Sequence, residues 1–323
     1  MKNNPVKTRY SLDPEVAEEM SAFMALHPPG EFPEKGDWQA LRSSSNKFYA
    51  NLGYNFPIHS EVSTRDFNIK TSVGTEIKVR WYTPAQKETS GAAIVYIHGG
   101  GRVSGSLELY NTIVANFAYL SGVPFLSVDY HLSPELKAED QVEEVFSALA
   151  WLKKQSSDLD INSDRIAIMG DSAGGGIAAA VAILARDREV HLSHQILIYP
   201  MLDDRNLTPD EQLLPFAIWT YDNNYTGWNA TLGDNYDNSN VSSIAAPGRL
   251  TDFEGLAPAF ISVGDLDIFR DENIDYAASL AKAGVPVEFH LHPGVPHGFE
   301  FVAPDATISK KAMADYVRVI KSV

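Results

Sequence analysis

Gly170-Asp-Ser-Ala-Gly174 sets a serine between two glycines. It follows an apolar run, Ile166-Ala-Ile-Met169, and precedes a small-residue helical pattern over residues 175–185. Strand, tight turn and helix around a central serine is the context of a nucleophile elbow. The turn forces the serine into a strained backbone conformation, and glycines on both flanks let strand and helix approach without a Cβ clash. Ser172 would then present its hydroxyl at the carboxyl edge of a sheet, with the Ala173 N–H beside it at a helix N-terminus. The chemistry open to such a serine is acyl transfer. The same five residues could also do no more than join a strand to a helix, so the reading depends on a base, an acid and an anion-stabilising loop.

A serine hydroxyl is a weak nucleophile near neutral pH and needs a base within hydrogen-bond reach. Of the nine histidines, His297 is the best placed. Pro296-His-Gly-Phe299 follows a strand-like run at 287–291 and sets the imidazole on a Gly-containing loop. His290 and His292 alternate along that run and read as structural, not as metal ligands, because no carboxylates cluster near them in sequence. His191 and His194 read as surface residues.

The base requires a carboxylate that fixes its tautomer. Residues 264–272, after the apolar run 259–263, offer Asp265, Asp267, Asp271 and Glu272. Asp267 is the preferred acid, and Asp271 is the expected N-cap of the next helix. Developing negative charge would be met by the backbone N–H groups of Gly100 and Gly101, in His98-Gly-Gly-Gly101, together with Ala173. Loss of one such donor costs about 10²–10³ in rate. The glycine run lacks the Gly-Lys-Ser/Thr ending of a phosphate loop, and its spacing is wrong for a dinucleotide site.

These residues need a scaffold, and the hydrophobic pattern supplies one. The first sixty residues read as helical: Asp13 caps a helix with Pro14 at its first position, and Val16, Met20, Phe23 and Met24 share a face. A second helix follows Asp37, through Leu41 and Phe48. Alternation at 62–70 and 76–82 predicts two strands about a turn at Gly74. Residues 92–97 and 125–130 are continuous apolar runs, as buried strands require. Residues 138–154 carry Val142, Val145, Phe146, Leu149 and Leu152 at helical spacing. A strand at 195–199 follows the elbow and its helix. Residues 205–248, rich in Asn, Asp, Trp and Tyr, break the rhythm and are expected to form surface helices and loops above the sheet. Strand 259–263, a helix at 274–283 stopped by Gly284, strand 287–291 and a last helix near Val323 complete the pattern. Alternating strands and helices predict a mostly parallel, doubly wound sheet, in which ligands bind beyond the carboxyl ends of the strands.

A chain of 323 residues suits one large α/β domain with an elaboration, or two small domains. With 44% hydrophobic and 21% charged residues it can bury a substantial core. A net charge of −16 leaves no basic surplus for phosphates, which argues against nucleic acid or an anionic membrane surface and favours a neutral or weakly cationic small substrate. The absence of cysteine excludes a disulfide, a thiolate metal site and a cysteine nucleophile. Residues 1–10 carry no apolar leader core, and no stretch reaches the length of a membrane span. A soluble, cytoplasmic protein is expected.

In this order, His98-Gly-Gly-Gly101, Val128-Asp-Tyr-His-Leu-Ser-Pro-Glu135, Gly170-Asp-Ser-Ala-Gly174, Asp267-Ile-Phe-Arg-Asp-Glu272 and His297-Gly-Phe299 give a sequence that resembles the hormone-sensitive-lipase-like carboxylesterases of the α/β-hydrolase fold, over nearly the whole chain. The resemblance implies an eight-stranded, mostly parallel sheet flanked by helices, with a helical cap. Residues 1–60 would form the N-terminal part of the cap, 61–323 the catalytic domain, and 205–248 a second contribution to the cap. It implies hydrolysis of short- to medium-chain acyl esters through an acyl-enzyme, with Ser172, Asp267 and His297 catalytic, Gly100, Gly101 and Ala173 as the oxyanion hole, and no metal or cofactor. His98 would be structural. The partner is a small-molecule ester, and a homodimer stays open.

Three residues depart from the family pattern. His131 stands where Arg is usual, which would cost a buried ion pair. Gly176 replaces a common Asn, and Arg102 replaces an aromatic or apolar residue and would narrow or polarise the mouth of the acyl pocket. An amidase or formamidase on the same triad, or a non-catalytic small-molecule receptor on this scaffold, are the alternatives. Because the base must be neutral, activity is expected to fall below about pH 6.

Overall fold

The chain was analysed as a computed structural model that describes residues 8–28, 30, 33–87, 91–236 and 239–323. Part of the N-terminal stretch read above, residues 1–7, lies outside the described residues. Its apolar runs pair at the centre of one eight-stranded sheet: β1 (Val62–Lys70), β2 (Glu76–Pro84), β3 (Ala93–Ile97), β4 (Phe125–Asp129), β5 (Ile166–Asp171), β6 (Gln195–Ile198), β7 (Ala259–Gly264) and β8 (Val287–His292). The spatial order is β1-β2-β4-β3-β5-β6-β7-β8. β2 runs antiparallel to both β1 and β4, and every pair from β4 to β8 is parallel. Every residue of β3 is buried, which is why its sequence is an unbroken apolar run.

Successive side chains of a strand point to opposite faces, so β3 feeds two cores. Ile94 and Tyr96 pack with α3 (Asn111–Ser121) and α9 (Thr307–Ser322) through Phe117, Tyr316 and Ile320, and α1 (Pro14–Leu26) adds Val16 and Phe23. Val95 and Ile97 face α4 (Ala138–Lys154), α5 (Ala173–Asp187) and α7 (Arg270–Lys282) through Leu149, Ile177 and Leu280. Each such side chain contributes roughly 1.5–3 kcal/mol of burial energy. A third cluster joins Leu41 of α2 (Trp38–Leu52), Trp228 of α6 (Tyr221–Leu232), Trp219, Val103, Ala173 and Phe269. It sits where strands end and the chemistry-bearing loops begin.

The helix starts follow local chemistry. Asp13 accepts hydrogen bonds from the N–H groups of Glu15 and Val16, with Pro14 next to it, and Asp37 accepts from Ala40. Two elements differ from the sequence reading. α7 begins at Arg270, so Asp271 lies inside its first turn and pairs with Arg270 instead of capping it. The cause is Asn273, a fully buried polar residue on the inner face, which with half-buried Glu272 beside it hides the start of the apolar periodicity. α3 has no counterpart in the sequence reading. It ends at Gly122, in the left-handed conformation with φ 70°.

Register brings the loops together. Ile97 pairs with Gly170, so the glycine run and the serine turn leave the sheet side by side. Gly264 pairs with His292, which does the same for the loops carrying Asp267 and His297.

Candidate active site

Ser172 leaves β5 with φ 54° and ψ −122°, a conformation that side chains rarely adopt. Hydrogen bonds hold it there. Its N–H donates to Ile198 O at 2.9 Å, and its carbonyl accepts from Gly176 and Met201 at 3.0 and 2.9 Å. A Cβ on Gly170 would lie 2.8 Å from Gly175 N, so the strand and α5 touch backbone to backbone. Sharp turn and close contact point the hydroxyl out of the sheet.

Ser172 Oγ lies 3.0 Å from His297 Nε2, and His297 Nδ1 lies 2.7 Å from Asp267 Oδ2. The other oxygen of Asp267 accepts from the Phe269 N–H at 2.9 Å, and the side chain is fully buried. The acid is therefore fixed in position and aims one lone pair at the imidazole. Two aromatic rings flank the imidazole, Tyr199 tilted at 60° and Phe269 near perpendicular at 84°, with centroids 4.5 and 5.2 Å away. Burial pushes the His297 pKa down. The charge and hydrogen bond of Asp267, followed by the charges of Asp171 and Glu300, outweigh that and hold it above the ordinary histidine value.

Gly100 and Gly101 have φ of 116° and 61°, and Ala173 is the first residue of α5. Among the described residues, none of these three buried amides donates a hydrogen bond. Such N–H groups, one of them at the positive end of a helix, suit an oxygen that gains negative charge. The glycine loop is covered from above: a Cβ on Gly101 would lie 2.5 Å from Trp219 Cζ2, and one on Gly227 of α6 would lie 2.9 Å from Gly101 O. The structure thus gathers all six residues singled out from sequence at one edge of the sheet.

A family model described as alpha/beta hydrolase fold matches residues 94–301 of the chain. The chain belongs to the hormone-sensitive-lipase-like carboxylesterases of that fold. The esterase is 33% identical to an ethyl acetate hydrolase of Pseudomonas putida over 244 residues, 72% of this chain and 74% of that protein. It is 34% identical to the carboxylesterase NlhH of Mycobacterium tuberculosis over 239 residues, 72% and 75% of the two chains. Among solved structures, a bacterial heroin esterase superposes with a TM-score of 0.87 at 32% identity, covering 97% of this chain and 98% of the other.

The three departures of this esterase from the family pattern have structural answers. His131 leaves Glu144 with hydrogen bonds: its half-exposed ring places Nδ1 2.7 Å from the buried Oε1, and its backbone N–H donates to Oε2 at 2.8 Å. A Cβ at Gly176 would run into the carbonyl of Met201, so only glycine fits there. Arg102 does not line an open mouth. Its side chain is fully buried with the guanidinium 5.6 Å from the Trp228 ring, and its three nitrogens have no hydrogen-bond partner among the described residues. Burial pushes its pKa down to about 10. His98 stacks on Tyr130 at 4.4 Å, and its Nδ1 meets Gly99 O at 2.8 Å, a packing role away from Ser172.

Other histidines correct the sequence reading. Carboxylates do cluster around His290: Glu288 Oε1 lies 2.8 Å from Nε2, and Asp315 Oδ2 lies 3.4 Å from Nδ1. The three could hold a metal ion by spacing, but Arg318 pairs with both carboxylates and makes the group an ion network. His194 is half-buried, not on the surface, and burial lowers its pKa.

Sequence reasoning also assigned no role to two buried carboxyl groups, Asp171 and Glu300, or to the half-buried Glu272. Asp171 accepts from the hydroxyls of Tyr96 and Tyr110 at 2.7 and 2.9 Å, and burial raises its pKa to about 6. Glu272 accepts from the N–H groups of Leu202 and Asp203. Glu300 accepts from the Tyr199 hydroxyl at 2.8 Å. Asp171 lies inside the serine motif and Glu272 stood among the four acids weighed after the strand, while Glu300 carried no signal in the sequence.

Proposed function

We propose that the chain is a serine carboxylesterase that hydrolyses short- to medium-chain acyl esters through an acyl-enzyme, with Ser172 as nucleophile, His297 as base and Asp267 as the acid of the triad. The continuous hydrogen-bond path from Ser172 through His297 to Asp267, with links of 3.0 and 2.7 Å, is the observation that carries this reading. Ser172 attacks the ester carbonyl while His297 takes its proton. Asp267 holds the tautomer with the proton on Nδ1 and stabilises the imidazolium. The amides of Gly100, Gly101 and Ala173 receive the oxyanion. The leaving alcohol takes the proton from His297, and a water activated by the same imidazole releases the acid. No step calls for a cofactor or a metal ion.

Residues 1–60 and 205–248 act in this reading as a cap on a catalytic domain spanning 61–323. Contacts between α2 and α6, and of Trp219 with Gly101, support that division. No helix among the described residues is long and apolar enough to cross a membrane. A cytoplasmic location belongs to the proposal and agrees with a chain that has no cysteine. The bonded His297 weighs against a non-catalytic receptor, and the relatives named as ester hydrolases weigh against an amidase.

The test is hydrolysis of p-nitrophenyl esters from acetate to octanoate by the wild type and by Ser172→Ala. Turnover on the short esters that vanishes in the variant is the expected outcome. A folded wild type that cleaves p-nitroanilides and leaves every ester intact would overturn the assignment.

A further inference from the structure

Glu300 lies three residues after His297, at the start of the short helix α8 (Phe299–Val302), and only 1% of its surface is exposed. A buried carboxyl needs hydrogen bonds to both oxygens to offset the loss of water. Oε1 has the Tyr199 hydroxyl at 2.8 Å, while Oε2 has no partner among the described residues. The mechanism above leaves this group unused.

Its one side-chain partner among the described residues is informative. Tyr199, at the end of β6, has φ 34°, and its N–H donates to Ser262 O at 2.6 Å, so its backbone is held in an uncommon conformation. From there its ring lies against the imidazole of His297. Glu300 grips the far end of that ring. His297, Gly298, Phe299, Glu300 and Tyr199 form a closed circuit that returns to the imidazole.

We propose that Glu300 is a positioning residue for His297, bracing it through Tyr199 and adding a further buried negative charge, beside those of Asp267 and Asp171, against the imidazolium formed when Ser172 attacks. This inference rests on the serine esterase reading. Asp267 holds the ring through Nδ1, and Glu300 holds the tilted Tyr199 ring that packs against it.

The groups around Glu300 allow that role. Asp171 faces it from the end of β5, Tyr96 from β3, Tyr199 from the end of β6, Tyr316 from α9 and His297 from its own loop. α1 covers the region with Val16 and Phe23, which are apolar. Asp171 is the other acid among them, and among the described residues no lysine or arginine is paired with either carboxyl. Burial raises the Glu300 pKa to about 7, and the charge of His297 opposes that rise. The two groups therefore share their protons: a proton on His297 favours the ionised carboxylate, and the carboxylate favours the imidazolium.

Glu300→Gln removes the charge and keeps an oxygen for the Tyr199 hydroxyl. The imidazole then gives up its proton more readily, so the acid limb of kcat/KM should move to lower pH, by about half a unit or more. The imidazolium of the transition state loses support, so plateau kcat should fall roughly threefold to tenfold with KM unchanged. A purely structural role would lower kcat without moving the limb. The profile is measured with p-nitrophenyl butyrate, and in parallel as the rate at which a fluorophosphonate modifies Ser172. The second readout needs no ester, so absent ester turnover would count against the esterase reading alone and leave this test standing. Should Glu300→Gln not fold, Tyr199→Phe removes the only hydroxyl donor to Glu300, keeps the carboxyl neutral to higher pH and should shift the limb in the same direction. An acid limb that superimposes on the wild type in a folded variant would overturn the proposal.

Discussion

Replacing Gly100 with alanine tests whether the glycine loop supplies a donor to the oxyanion. The added Cβ would lie 2.6 Å from the carbonyl carbon of Ser104 and 2.8 Å from its Oγ, and the residue has φ 116°. Carbon atoms in contact sit at about 3.5–4.0 Å, so the loop must shift by about 1 Å to accept the methyl group. Moving away from Ser104 strains the bonds that Val103 N, Ser104 N and Ser104 Oγ donate to Gly100 O, at 3.1, 3.0 and 2.8 Å, so the peptide turns as a unit. Donors to an oxyanion work at about 2.7–3.1 Å, and a retreat of about 1 Å takes the N–H out of range. Loss of one donor costs about 2.7–4 kcal/mol, which is about 10²–10³ in kcat. Pre-steady-state acylation with p-nitrophenyl butyrate would read this directly, with KM changed little because the ground-state carbonyl depends less on the donor. Gly74→Ala is the control: it has a positive φ, but nothing lies within 4 Å of the added carbon, and the turn carries none of the six candidate site residues. It should lose stability and keep its kcat. If Gly100→Ala, correctly folded, retains kcat to within threefold, the loop is not the donor and the oxyanion hole must be drawn elsewhere.

Two further outcomes follow from the titrating groups. The His297 pKa is raised in the folded protein, and catalysis needs the neutral imidazole, so activity should decline as pH falls through a midpoint above the ordinary 6.5. That is higher than the sequence alone suggested, and a kcat/KM midpoint at or below 6.5 would contradict it. Glu300 and Asp171 titrate at about 7 and 6 in the folded state, above their ordinary 4.5 and 3.8. Between those limits the native protein binds more protons than the unfolded chain, so stability falls as pH rises. The Glu300 share is on the order of 3 kcal/mol. Urea midpoints at pH 5 and 7.5 should therefore converge in Glu300→Gln relative to wild type; an unchanged difference would refute the assignment.

The sheet and the six candidate residues that gather at its edge were legible because their signals are local. An apolar run followed by a polar or glycine-rich turn marks a strand end, and in a doubly wound sheet strand ends are where ligands bind. Asp267 stood out among four acidic neighbours by its distance past the strand alone. What stayed hidden depends on pairings between distant segments. Glu144 lies on the inner face of α4 among Val142, Val145 and Ala148, and nothing in the sequence ties it to His131. Asp315 reaches His290 only because α9 packs beside β8. Glu300 reads as an ordinary polar residue at a helix start, until β6 brings the hydroxyl of Tyr199 to it. α3 was missed because Asn111, Thr112 and Asn116 interrupt its apolar face, and Asn116 finds its partner in His59.

The pairing of Ile97 with Gly170, and of Gly264 with His292, has a bearing on how the protein tolerates change. Backbone hydrogen bonds between parallel strands do not depend on which apolar side chain fills a core position. The same ladder that makes the sheet stable therefore serves as the alignment jig for four loops. A trimmed side chain deep in β5 or β7 should lower the folded fraction while each folded molecule keeps its full turnover. Sequence drift in the core thus costs quantity before quality, and the catalytic geometry persists for as long as the sheet does.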